Sequence, residues 1–173
     1  EISYQLVDIR AVMNWLDTFG LNEHDRFFTH ADDARYHRSA GFITQQYLGC
    51  LDVARTAAVS SVYCIMGDET RLAFPTDTVY FSWFPDFKQV ATISAGQLAG
   101  ARLVRNVTFK PGTLVKLRTA SQVYVVVDAF GTLRWIPTEQ KAIDLWGPAW
   151  AGLVFDIPDE FWTNYNVGQP LEI

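Results

Sequence analysis

Beyond about residue 60, apolar positions arrive in short alternating bursts, each closed by a polar turn or a proline. "SVYCIM" and "RLAF" flank Gly67-Asp68-Glu69, and "QVYVVV" and "TLRWI" flank Asp128-Ala129-Phe130-Gly131. Each pair predicts a β-hairpin with a glycine-containing loop. Each second strand runs into Pro-Thr, at Pro75-Thr76 and Pro137-Thr138, and then into a short amphipathic segment. A threonine there is a natural helix N-cap, and Asp77 or Glu139 adds negative charge in the first turn, where the helix dipole favours it. After each helix come an aromatic residue (Phe87, Trp150), a strand-like stretch ("VATI", "LVFDI") and a small closing helix ("SAGQLAG", "PDEFWTNY"). The two halves are offset by about 62 residues, from Val62 to Val123, Pro75 to Pro137 and Phe84 to Trp146. A hairpin and one short helix cannot cover their own apolar faces, so two such units are expected to pack together. "NVTFKPGTLVKL" is expected to add a linker strand between them.

The start of the chain carries a different period. Ile9, Val12, Met13, Leu16 and Phe19 follow helical spacing, and Gly20 suits a helix C-terminus. Thr29 and Asp32 have capping-box spacing, which predicts a second helix from about His30 to Ser39. In "FITQQYLGCLDVARTAA", residues Ile43, Tyr47, Leu48, Leu51 and Val53 or Ala54 predict a third. The expected fold class is therefore α+β: a helical segment over 1–58, a first hairpin–helix repeat over 59–105, and a linker strand with the second repeat over 106–173.

Composition narrows the partners. The hydrophobic share is 49% and the charged share 19%, yet no apolar run is long enough to span a bilayer. The net charge is −5 with no basic stripe, so nucleic acid is not an expected partner. Cys50 and Cys64 are consistent with a disulfide in an oxidising compartment and equally with two buried thiols.

At "VYVVVDAFGTLRWIPTEQKAIDLWGPAW" and "FDIPDEFWTNYNVGQPL", with "NVTFKPGT" in the linker, the chain resembles a tandem module of large secreted or surface-exposed bacterial proteins, many from uncultivated lineages. The resemblance covers about residues 58–173, and the linker and second half carry most of its specificity. It implies a repeat module of extracellular or cell-envelope proteins, and it brings no catalytic residues with it.

Two constellations could carry chemistry. All three histidines, His24, His30 and His37, lie close together. In a helix, His30, Asp33 and His37 share one face, and two imidazoles with a carboxylate are a donor set for zinc or iron. The alternative is a solvated polar face with Asp–Arg pairs. No other cofactor is called for. Of six tryptophans, five fall after residue 80. Trp135 and Trp162, with Tyr124, are the candidates to stack on the faces of a polysaccharide. Repeating aromatic pairs such as Phe84/Trp146 and Phe87/Trp150 point instead to packing. Arg71 and Arg134 recur near the hairpin ends, where an arginine stem covering an aromatic is the simpler expectation than a ligand clamp. No serine-hydrolase, zinc-protease or phosphate-loop pattern is present.

The leading expectation is a non-catalytic, secreted or cell-envelope module for assembly, adhesion or display, with other copies of itself or envelope proteins as partners. A glycan-binding module and a small metal-dependent enzyme centred on the histidine cluster are the alternatives.

Overall fold

A computed structural model of the chain describes residues 48–171. The expected helices before residue 48, and the candidate metal ligands His30, Asp33 and His37, lie outside the described residues.

Two five-stranded mixed sheets organise the described residues. The first contains β1 (Cys50–Thr56), β2 (Val59–Met66), β3 (Thr70–Ala73), β4 (Val90–Ile93) and β5 (Arg102–Asn106), in the order β4-β1-β2-β3-β5. Its connections carry helices α1 (Asp77–Trp83) and α2 (Ala95–Gly100). The second contains β6 (Leu114–Leu117), β7 (Val123–Val126), β8 (Thr132–Trp135), β9 (Val154–Ile157) and β10 (Asn166–Val167), in the order β10-β8-β7-β6-β9. Here the connections carry α3 (Glu139–Trp146) and two short 3₁₀ helices, Trp150–Leu153 and Asp159–Asn164. Read from β4 and from β9 the two orders are the same, with first strand beside second, second beside third, and the last two strands added in parallel at the edges.

The α+β class and the two similar units match the expectation, while one element differs. Cys50–Thr56, read by spacing as the end of a helix, is strand β1. It pairs with β2 and β4, so Val53 and Ala54 are both buried although neighbours in a strand point to opposite faces. Two register shifts, between Cys50 and Asp52 and between Ala54 and Thr56, bring its apolar residues to intervals that imitate a helix. Each unit thus has a first strand ahead of its hairpin, β1 or β6.

The hairpins share their register. Tyr63 pairs with Ala73 and Cys64 with Leu72, as Tyr124 pairs with Trp135 and Val125 with Arg134. Phe74 N–H donates to the Val62 carbonyl at 3.0 Å, and Ile136 N–H to Val123 at 2.9 Å. Thr76 and Thr138 both cap their helices through the side chain, as the Pro-Thr signal predicts. Ser94 and Gln97 complete a capping box on α2. Where the units close, Val107 N–H donates to Ala73 and Leu171 N–H to Trp135, at 2.8 and 2.9 Å. Such agreement in hydrogen bonds is what a duplicated unit requires.

One core joins the units. It runs from Val53, Cys64, Leu72 and Phe74 of the first sheet, through Tyr80, Trp83 and Phe84, to Val115, Val126, Leu133 and Ile157 of the second. Val107 and Phe109 of the linker sit within it, 0% and 1% exposed. Trp83 Nε1 donates to the Thr108 carbonyl at 2.7 Å, and Phe109 N–H donates to the Tyr165 hydroxyl at 3.0 Å. Gly131 faces the same joint with φ +82°. A Cβ there would lie 2.7 Å from Thr108 Cγ2 and 2.9 Å from the Asn164 carbonyl, so glycine alone fits. The opposite face of the second sheet, with Leu114, Val125 and Ile136, packs on Ala142 and Trp146 of α3.

The joint sets an alkaline limit on stability. Burial raises the Tyr165 hydroxyl from 10.0 to about 12, with the Phe109 N–H bond pulling slightly the other way. Burial also raises Tyr80, helped by the Asp86 charge. A tyrosine that resists ionisation in the folded state contributes fully below pH 10. That contribution is lost as the pH climbs toward 12, because the unfolded chain then gains by ionising. Denaturant midpoints measured from pH 8 to 12 should hold steady to about pH 10 and then fall, and Tyr165→Phe should soften the fall.

Cys50 and Cys64 form a disulfide across β1 and β2, with Cα atoms 5.2 Å apart. The β1–β2 pairing brings the two cysteines together, which spacing in the sequence did not decide. Among the described residues no helix is long and apolar enough to cross a membrane.

Candidate functional site: an aromatic row and a groove beside helix α3

The second unit gathers the three aromatic candidates. Tyr124 on β7 and Trp135 on β8 are direct cross-strand partners, so their side chains leave the same face of the sheet. Trp162, on the last 3₁₀ helix, meets Tyr124 edge-on with ring centroids 5.7 Å apart, and lies 6.4 Å from Tyr165. Tyr124 and Trp162 are half-buried and pack against the joint core. Trp135 is 38% exposed. The contacts of Tyr124 and Trp162 hold the last 3₁₀ helix on the sheet.

Beside Trp135 the surface dips into a groove of about 500 Å³. Its shape follows from local sequence. Pro137 ends the run of β8, and the Thr138 side chain turns back to accept from Lys141 N–H at 3.2 Å, which starts α3. Thr138 and Glu139 are therefore at the groove, with Ala142 one turn on, 1% exposed. Ile136 and Trp150 contribute apolar walls, and Gln122, from the loop before β7, adds an amide. The arrangement combines aromatic and aliphatic surface with a hydroxyl, an amide and a carboxylate, which suits binding of a ring with polar substituents.

Of the three aromatic candidates for ligand stacking, Trp135 lines this groove and Tyr124 and Trp162 do not. Trp150, read as packing from its match with Phe87, lines it too. Ala142 and Gln122 were not anticipated, since neither residue type carries a chemical signal by itself. The two arginines are engaged within the fold. The Arg71 guanidinium lies over the Tyr63 ring at 5.2 Å and donates to the carbonyls of Leu98 and Ala101. Arg134 donates to the carbonyls of Gln169 and Pro170 at 3.0 and 2.6 Å. The first therefore covers an aromatic as expected, while the second ties down the chain after β10. Among the described residues no three His, Cys, Asp or Glu side chains come together as a metal site.

No family model, no curated protein and no solved structure matches this chain.

Proposed function

We propose that this chain is a non-catalytic structural and interaction module of a secreted or cell-envelope bacterial protein, working in assembly, adhesion or display. The observation that carries this reading is the duplicated unit, with common strand order and register and a core devoted to joining the copies. The Cys50–Cys64 disulfide supports an oxidising compartment. The resemblance to modules of large surface-exposed bacterial proteins supports the same setting.

Its partners are other copies of itself or neighbouring envelope proteins. The edge strands support association: Leu103 and Val104 on β5 are 49% and 42% exposed, Phe155 on β9 42%, and Val167 on β10 56%. Edge strands with exposed apolar side chains are templates for pairing with another chain. The glycan alternative is weaker, because Tyr124 and Trp162 put their rings into packing and leave only Trp135 well exposed.

Sedimentation velocity over a range of concentrations tests the proposal. The expected result is a weight-average mass that rises with concentration, and a charged substitution such as Val104→Lys should suppress the rise. A strictly monomeric species at every concentration would count against association through these edges.

A further inference from the structure

The groove beside α3 and the equivalent place in the first unit share a frame and differ at the rim. Trp135 pairs across its hairpin with Tyr124, where Ala73 pairs with Tyr63. Gln122 precedes Val123 where Ser61 precedes Val62, and Glu139 follows its threonine cap where Asp77 follows Thr76. Trp150 closes Pro148-Ala149-Trp150 where Phe87 closes Pro85-Asp86-Phe87. At these four positions the second unit carries two indoles, a longer amide and a longer carboxylate, and all four residues line the groove. Its floor is closed, with Ile136 6% and Ala142 1% exposed, so a ligand lies across the groove and not in a slot beneath it.

The polar groups at the rim are not used by the fold. The Gln122 amide, the Glu139 carboxylate and the indole N–H groups of Trp135 and Trp150 hydrogen-bond to no other described residue. Gln89, Gln97 and Gln140, by contrast, use their side-chain amides internally, on Tyr80, Ser94 and Asp144. Beside these groups Trp135 shows 38% of its surface to solvent, and covering an indole face is favourable.

We propose that the groove binds one ring of a neutral polysaccharide, a pyranose lying on Trp135 with its hydroxyl or acetamido groups meeting Gln122, Glu139 and the Trp150 N–H. A pyranose is apolar on its face and carries donors and acceptors around its edge, which matches an exposed indole flanked by free polar groups. The glycan is neutral because the chain has a net charge of −5 and Glu139 stands at the rim, so a polyanion is repelled. Such binding goes beyond the scaffold role. It needs neither the packed rings of Tyr124 and Trp162 nor the edge strands, since the groove belongs to a single copy.

The test is a ¹H–¹⁵N titration with cellohexaose and, separately, chitohexaose, following the indole N–H of Trp135 and Trp150 and the side-chain amide of Gln122. Saturable shifts with at least one of the two are expected, with a Kd on the order of 1 mM for a single-ring site. Trp135→Ala should weaken binding by about tenfold or more, read at the Trp150 indole, and Gln122→Ala by about threefold. Phe87→Ala, at the equivalent place in the first unit, should leave the titration unchanged. Absence of saturable shifts with both oligosaccharides overturns the proposal, as does affinity that survives Trp135→Ala. Equal binding of a sulfated oligosaccharide overturns it too, because the site would then not select a neutral ring. None of these outcomes alters the sedimentation result, so failure here and failure of edge association are separate.

Discussion

Phe109→Ala should cost about 3–5 kcal/mol and lower Tm by on the order of 10 °C or more. Phe109 is 1% exposed, lies in the core shared by both sheets, and packs against Phe155 with centroids 5.4 Å apart. Its own amide is tied to the Tyr165 hydroxyl, so a backbone adjustment that collapsed the cavity would strain that hydrogen bond. The linker residues are the only covalent connection between β5 and β6, and the substitution removes packing at the point where the units meet. Thermal unfolding should therefore broaden as well as move down, because coupling between the units weakens before either unit does. Phe81→Ala is the matched control. Phe81 is 46% exposed on α1, and its loss should cost under about 1 kcal/mol in denaturant unfolding. A small effect from Phe109→Ala would mean that the joint does not hold the units together.

Breaking the Cys50–Cys64 bridge should cost about 3 kcal/mol, the value for closing a loop of roughly 15 residues in the unfolded chain. The bridge ties β1 to β2, and β1 is also the strand on which β4 is built in parallel. Cys64 is fully buried and Cys50 nearly so, so reductant should act slowly on the native protein and quickly once denaturant opens it. Equilibrium unfolding of the Cys50→Ala/Cys64→Ala double variant should move to lower denaturant with little change in slope. Thiol labelling of the denatured, unreduced protein should find no reactive cysteine. Two labelled cysteines, or equal stability with and without reductant, would rule out the bridge and remove one support for an oxidising compartment.

Much of the fold was legible because its signals are local. Gly67-Asp68-Glu69 and Asp128 to Gly131 mark turns by backbone chemistry alone. Pro-Thr marks the stop of a strand and the cap of a helix within two residues. Ser94 and Gln97 fall at capping-box spacing. The strand β1 was not legible, since its bulges distort the alternation that distinguishes a strand, and its partners β2 and β4 lie on opposite sides of it. The parallel edge pairs were hidden for a related reason. Val53 with Val90, and Leu114 with Val154, are brought together by crossovers that leave no short-range trace. Among site residues, Trp135 could be found because an indole near a strand end invites attention. The groove itself could not, because Gln122, Trp135, Thr138 and Trp150 are brought together there by the hairpin and helix α3 rather than by any spacing in the sequence.

The duplication is tested most directly by cross-strand amide and Hα NOEs in isotope-labelled protein. Parallel contacts are expected between Ala54 and Ala91 and, at the equivalent place, between Val115 and Phe155, together with antiparallel contacts for Tyr63–Ala73 and Tyr124–Trp135. Helical sequential NOEs through Cys50–Thr56, or strand contacts in one half with no counterpart in the other, would contradict a molecule built twice from one unit.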